Sequence, residues 1–247
     1  MIKVGIIIQA RTKSTRLPNK IIKPFFEKLN ILEIIINKLK GLGHEIFIAT
    51  TIDSNDDIIE KISDKHNVKC YRGDQENVLS RFIDISVSNH LTHAIRVCSD
   101  NPFISVNFIQ SIISRLEKIK IVDYIGYFDV EDQPMILSHY GFFSELISLN
   151  AMLHIEKTSN KNIHLEHVTS FIYENQSQFK ISKIKADKVF NKHKNIRLTV
   201  DNEIDFQITS SIFSSYNGDH ESHKELINYI LNNTNFINKM SNNIINN

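Results

Sequence analysis

Ile7-Ile8-Gln9-Ala10-Arg11-Thr12-Lys13-Ser14-Thr15-Arg16-Leu17-Pro18-Asn19-Lys20 is the stretch on which the reading of this chain turns. The apolar run from Val4 to Ile8 reads as a buried strand. It gives way at once to a polar loop with four cations, Arg11, Lys13, Arg16 and Lys20, and three hydroxyls, Thr12, Ser14 and Thr15. Such a loop gathers positive charge and donors at the carboxyl end of a first strand, the edge at which open α/β sheets bind ligands. Arg meets phosphate oxygens with paired donors and Lys with a point charge, so the expected ligand is a polyanion. The loop holds no glycine and matches neither GxxxxGK[ST] nor GxGxxG, which disfavours a P-loop kinase and a Rossmann dehydrogenase. The plain alternative is a solvated basic loop.

Outward from this loop, short apolar runs alternate with amphipathic segments. Strands are expected at about 3–9, 45–49, 68–71 and 93–98, and helices near 31–42, 56–66, 78–89 and 106–118. Strand and helix alternating at this period predict a parallel sheet with helices on both faces. Right-handed crossovers then bring the strand ends to one edge. There the loops 11–20, 72–77 and 99–102 should meet, with 49–53 close by. After Asp123 the pattern is less regular. A strand at 136–143, helices at 145–154 and 164–174, strands at 179–185 and 196–200, and helices at 203–216 and 222–231 are expected. The Asn-rich segment from Asn232 is expected to fray.

Composition sets the limits. A length of 247 residues suits one α/β domain, and 41% hydrophobic residues can build a sizeable core. A net charge of +1 gives no bulk attraction to nucleic acid or an acidic membrane. No stretch approaches the roughly 20 apolar residues of a membrane helix, and Ile2 to Ile8 is too short for a signal peptide. Cys70 and Cys98 end separate apolar runs and fit no metal motif, so they read as buried thiols of a cytoplasmic protein. His164 and His167, like His220 and His223, are three residues apart, but no third zinc ligand is evident.

The loop resembles the signature of nucleotidyltransferases that activate sugars with CTP, most closely the spore-coat polysaccharide F branch. Members of that branch carry Gln-Ala-Arg followed by Ser-Thr-Arg-Leu-Pro-Gly-Lys; the acylneuraminate and Kdo cytidylyltransferases are related. Asn19 stands here for the usual Gly, and Asn tolerates positive φ. Three further segments follow in the family's order. Arg72-Gly-Asp-Gln-Glu-Asn-Val-Leu-Ser-Arg81 resembles Arg-Gly-x-x-x-Asp-Val-Leu-x-Arg, with Asn77 for Asp. Arg96-Val-Cys-Ser-Asp100-Asn-Pro resembles Arg-x-Thr-Gly-Asp-Cys-Pro. Arg197-Leu-Thr-Val-Asp201-Asn-Glu-Ile-Asp205 resembles Arg-Leu-Thr-x-Asp-x-x-x-Asp. Glu166-His167-Val-Thr is similar to the branch's Arg-Glu-His-Val-Thr, with Leu165 for Arg.

The resemblance implies an α/β fold, a single Rossmann-like domain of the GT-A-like nucleotidyltransferase kind. The domain would span 1–231, with about 123–200 on the acceptor side and in a homodimer contact, and 232–247 as a tail. It implies nucleotide contacts from Gln9, Ala10, Arg11, Ser14, Arg16, Lys20, Thr50, Arg72, Asp74, Arg81 and Ser99. Arg11, Lys20 and Asp100 would be catalytic, and Asp100 and Asp201 would hold Mg²⁺, which binds through one or two carboxylates plus substrate phosphates. Glu166 and His167 would border the acceptor. The branch's Val-Glu-Val-Phe-Ser-like stretch reads Tyr140-Gly-Phe-Phe-Ser144 here, so His139 and Tyr140 become candidate contacts for a different acceptor.

Each assignment has a structural alternative. Asp100 can begin a turn before Pro102. Asp201 or Asn202 can cap a helix whose first turn holds Glu203 and Asp205. Arg72, Asp74 and Arg81 can form a turn with a surface ion pair, and Glu166 can be a surface residue beside a half-buried His167. Two rival functions remain. A GT-A glycosyltransferase would usually show Asp-x-Asp, which is absent. A non-catalytic nucleotide-sugar binder would not need Arg11, Lys20, Asp100 and Asp201 together.

Overall fold

The computed structural model describes residues 2–245. The chain opens with β1 (Val4–Gln9), then a small hairpin of β2 (Pro24–Phe26) and β3 (Leu29–Asn30), which leads into α1 (Ile31–Leu39). Asn30 caps that helix in a reciprocal box with Glu33, a device worth ~1 kcal/mol. Then follow β4 (Glu45–Thr51), α2 (Asp57–Lys65), β5 (Lys69–Gly73), α3 (Val78–Ser88), β6 (His93–Cys98), α4 (Val106–Ile119) and β7 (Tyr124–Phe128). The second half holds β8 (Glu145–Ser148), α5 (Leu149–Thr158), α6 (Asn162–Glu166), α7 (Ser170–Glu174), β9 (Ile181–Lys185), α8 (Val189–Lys192), α9 (Glu203–Ser215), α10 (His223–Leu231) and α11 (Thr234–Ile245).

Seven strands form one sheet in the order β5-β4-β1-β6-β8-β7-β9. β5, β4, β1 and β6 run parallel, β8 is antiparallel to both neighbours, and β9 is parallel to β7. This is the mostly parallel α/β sheet that the alternation predicts. Strand alternation divides β1 between two cores. Ile6 and Ile8 join the core under α1, α2, α4, α9 and α10, while Ile7 joins the one under α3, α5 and α7. The loops that leave the carboxyl ends of β1, β4 and β6 therefore lie side by side.

Apart from the β2–β3 hairpin, which was not foreseen, the elements up to α4 lie where the periodicity puts them. Beyond Asp123 several expectations need correction. β7 was not foreseen, because its residues Tyr-Ile-Gly-Tyr-Phe are apolar on both faces and carry no alternation. Residues 145–148 form β8 and not the start of a helix, since they fill the gap between β6 and β7. Residues 136–143 and 196–200 are not strands; the first begins in a short 3-10 helix (Met135–Leu137) and a turn, and the two segments are joined by Leu198 N to His139 O (2.7 Å). The helix expected at 164–174 is broken at His167, leaving α6 and α7. The segment expected to fray is α11 through Ile245; it packs on α9 and α10 and buries Met240 to 1% exposure. The last two residues of that segment lie outside the described residues. Among the described residues no helix is long and apolar enough to cross a membrane.

Candidate active site

The loop after β1 owes its shape to local contacts that the sequence permits. Asn19 sits at φ +62°, the left-handed region, and its N–H donates to Thr12 O (2.8 Å), closing the turn. Asn accordingly serves where the resemblance has Gly. Asp56, from the segment before α2, accepts Thr12 N (2.7 Å), Thr12 Oγ1 (2.6 Å) and Thr51 Oγ1 (2.5 Å). Burial opposes its ionisation, but the hydrogen bonds from Thr12 and Thr51 hold its carboxyl below the usual range. Asp56 thereby pins the loop between Arg11 and Lys13, which reach outward to Glu166 (3.0 Å) and Asp53.

At the other end of the loop, Lys20 is only 9% exposed. Its ammonium donates to Val200 O (2.6 Å) and Asp100 Oδ2 (3.0 Å) and lies 3.5 Å from Asp201 Oδ1. Asp201 also meets Arg16 (3.0 Å) and Arg197 (2.7 Å). Arg197 in turn pairs with buried Asp205 (2.8 Å), whose other oxygen accepts Asp201 N (2.9 Å). Asp205 and Asn202 form the capping box of α9. Asn202 and Asp205 thus shape the helix start, and Asp201 turns its carboxylate toward Lys20 and Arg16.

These groups line a cavity of about 270 Å³ that gathers Gln9, Ala10, Arg11, Ser14, Arg16, Lys20, Arg81, Ser99, Asp100, Glu166, His167 and Asp201. A second hollow of about 560 Å³ shares Arg11, Lys13, Ser14 and Glu166. Twelve residues named from the sequence thus come together. Arg81 reaches the cavity from α3, its Nη1 donating to Ala49 O (3.1 Å). Gly73 makes room for it, since a Cβ there would lie 2.7 Å from Arg81 Cγ. Burial, with Arg11 nearby, pushes the Arg81 guanidinium down to about 10, so it stays charged at neutral pH.

Five named residues lie elsewhere. Arg72 binds Thr51 O, Asp53 O, Asp57 and Glu60, bracing β4 against α2. Asp74 accepts Glu76 N and Asn77 N in a turn that sets up the α3 cap. Thr50 is buried within β4. Tyr140 is buried, its hydroxyl aimed at Phe190 O (2.6 Å) and His193 O (2.7 Å). His139 meets Arg197 Nη1 through Nδ1 (2.9 Å). Partial burial and that guanidinium hold its ring below the usual range, so Nδ1 accepts. The stretch 140–144 does not border the cavity. Gly141 sits at φ +68°, and a Cβ would lie 3.1 Å from the Leu198 carbonyl. An acidic side chain has no room there, and its absence says nothing about the acceptor.

Three groups escaped the sequence reading: Asp56, and the buried pair of Arg96 and Glu145 (2.7 Å). Charged residues within apolar strands were the available signal for that pair. Cys70 and Cys98 are half-buried and not the fully buried thiols expected; desolvation pushes the Cys98 thiol up to about 11, so little thiolate forms at neutral pH.

Asp100 and Asp201 are the residues that suit a hard divalent cation. They face one ammonium from two sides and supply only oxygen donors, leaving the remaining positions to phosphate and water. Among the described residues no group of three or more His, Cys, Asp or Glu is assembled for a metal, so zinc at either His pair is unsupported.

Comparison with known proteins shows the family and the fold. A family model described as "Cytidylyltransferase" matches residues 5–239. The spore coat polysaccharide biosynthesis protein SpsF of Bacillus subtilis is 26% identical over 216 residues, covering 84% of this chain and 85% of that protein. A cytidylyltransferase structure from Leptospira borgpetersenii superposes with a TM-score of 0.85 at 26% identity, covering 96% of this chain and 97% of that one. A CMP-2-keto-3-deoxy-manno-octonic acid synthetase complexed with CTP shares the fold, with a TM-score of 0.62 at 12% identity over 85% of this chain and 98% of that one. With a family model spanning nearly its whole length and the signature loop folded around Lys20, the chain belongs to the cytidylyltransferase family, enzymes that transfer a nucleotidyl group.

Proposed function

We propose that the protein transfers CMP from CTP to a sugar acid or to a phosphorylated sugar or polyol, releasing pyrophosphate. The observation that carries this reading is Lys20, held between Asp100 and Asp201 at the end of a loop that also presents Arg11 and Arg16. Arg11, Arg16 and Lys20 neutralise the triphosphate, and Ser14 donates a hydrogen bond to it. Lys20 lies nearest the two carboxylates and steadies the charge that develops as the α-phosphorus is attacked. An oxygen of the acceptor bonds to that phosphorus, and the bond to the bridging β-oxygen breaks. Positioning and charge neutralisation suffice, and no covalent enzyme intermediate is required. Asp100 and Asp201 would hold Mg²⁺, which when bound supplies a Lewis acid for the phosphate oxygens.

Glu166, ion-paired with Arg11, and His167 line the same cavity and would border the acceptor. The relative from Bacillus subtilis supports a place in surface polysaccharide or glycan synthesis, and the CTP complex of a structural neighbour supports the nucleotide. The catalytic unit takes in α11 as well as residues 1–231, since Met240 packs behind Arg197, and it acts as a cytoplasmic homodimer through part of 123–200. The test is pyrophosphate release with Mg²⁺, crossing CTP, UTP, ATP, GTP and dTTP with Kdo, sialic acids and phosphorylated polyols. Release with CTP and one acceptor class is expected. Failure of every nucleotide to bind would overturn the reading.

A further inference from the structure

Gln9 ends β1 and shares a sheet face with Ile7, between β4 and β6. Its side-chain oxygen lies 3.2 Å from Arg96 Nη1. A guanidinium has five donors and no acceptor. Only the carboxamide oxygen can make this contact, which turns the amino end away from Arg96. Gln9 lines the 270 Å³ cavity, so that amino end is the part of Gln9 left to a ligand.

Arg96 cannot swing aside. It is 6% exposed, and its Nε donates to Glu145, which is 0% exposed. Glu145 also accepts Thr169 Oγ1 (2.6 Å), Tyr124 OH (2.6 Å) and Tyr173 OH (2.5 Å). Four donors match the lone-pair sites of a carboxylate. The pair spans β6 and β8 in register.

One strand to the other side stands Arg81. It is 3% exposed and donates to the carbonyl of Ala49, the register partner of Gln9. Among the described residues it has no ion-pair partner, and its Nε is buried without a hydrogen bond. The cavity floor therefore offers two neighbouring groups that only donate, reaching strand ends about 4.8 Å apart.

We propose that Gln9 and Arg81 read the pyrimidine edge of the nucleotide, and that Arg96 is the positioning residue that keeps Gln9 a donor. Cytosine sets carbonyl O2 beside unprotonated N3, two adjacent acceptors. Uracil and thymine carry hydrogen on N3, so a donor would face a donor. A flipped Gln9 would accept from that N3–H, and Arg96 excludes the flip. This deepens the CTP reading above and rests on it.

The test is calorimetric titration of CTP and of UTP in Mg²⁺ buffer, with folding of each variant checked by thermal melting. Wild-type protein is expected to prefer CTP by at least ~10-fold, the scale of one hydrogen bond to a charged or well-placed group. Gln9→Met should weaken CTP by about 10-fold and leave UTP unchanged. Gln9→Glu, which keeps an oxygen on Arg96 and turns the other to the cavity, should invert the preference. Arg96→Gln, which offers Gln9 an acceptor as well as a donor, should lower the CTP-to-UTP ratio in the wild-type background and leave it unmoved beside Gln9→Met. A merely structural Arg96 would weaken both nucleotides equally, and that result overturns its role. Wild-type ratios in both Gln9 variants, or equal wild-type affinity for the two nucleotides, overturn the inference and leave nucleotide binding standing. A wild-type protein that binds neither nucleotide overturns both readings.

Discussion

Lys20 shows how one side chain can be read in two ways at once. It is held by Asp100, Asp201 and the Val200 carbonyl, so it organises the site before any phosphate arrives. Lys20→Ala is expected to weaken CTP binding by about 1–3 kcal/mol, the cost of a lost charged hydrogen bond, and calorimetry checks it. Asp100→Ala should abolish pyrophosphate release while leaving the melting temperature near wild type; normal turnover with Mg²⁺ would remove its proposed role. Asp56 is a sharper test of architecture. Asp56→Ala strands the Thr12 N–H and the Thr12 and Thr51 hydroxyls. A loss of about 1–3 kcal/mol in urea denaturation is expected for such orphaned buried donors. Lys20, Asp100 and Asp201 were singled out because the segments that hold them resemble the family's motifs; by residue chemistry alone Asp100 reads equally as the start of a turn. Asp56 was not, since an Asp in Ser-Asn-Asp-Asp looks like any helix start.

At the scale of elements, period-two and helical patterns served well where each element has one wet face. They failed at β7 and β8, which are buried on both faces and carry no alternation. They failed again at the C-terminus, where Asn-rich composition hides the apolar contacts of α11. Met240 is 1% exposed, and its sulfur accepts Arg197 N at 3.5 Å, directly behind the pair that orients Asp201. Met240→Ala is expected to cost about 2–5 kcal/mol in chemical denaturation, as for a buried methionine. A frayed tail would register within about 0.5 kcal/mol.

For the whole molecule, stability should carry a pH signature from buried histidines. His220 and His223 lie among the aromatic rings of Phe103, Phe108, Phe190 and Phe213, and burial lowers both from the ordinary 6.5. A base whose folded pKa is depressed takes up its proton more readily when unfolded. Its stabilising effect is full above 6.5 and is lost as pH falls toward the folded value. The melting temperature should therefore drop between about pH 7.5 and about 5.5, and His220→Phe should flatten that slope. An unchanged slope would show that other groups dominate. The sequence by itself determined the parallel half of the sheet and the basic loop that follows β1, because these depend on local periodicity and on residue chemistry near in the chain. Only the tertiary structure decided which of the named residues share a cavity. It drew Arg72 and Tyr140 into bracing contacts, closed the Gly141 backbone against Leu198, and paired Arg96 with Glu145 beneath Gln9. Most of these contacts join residues 49 to 87 apart in the chain, whose packing no local pattern encodes.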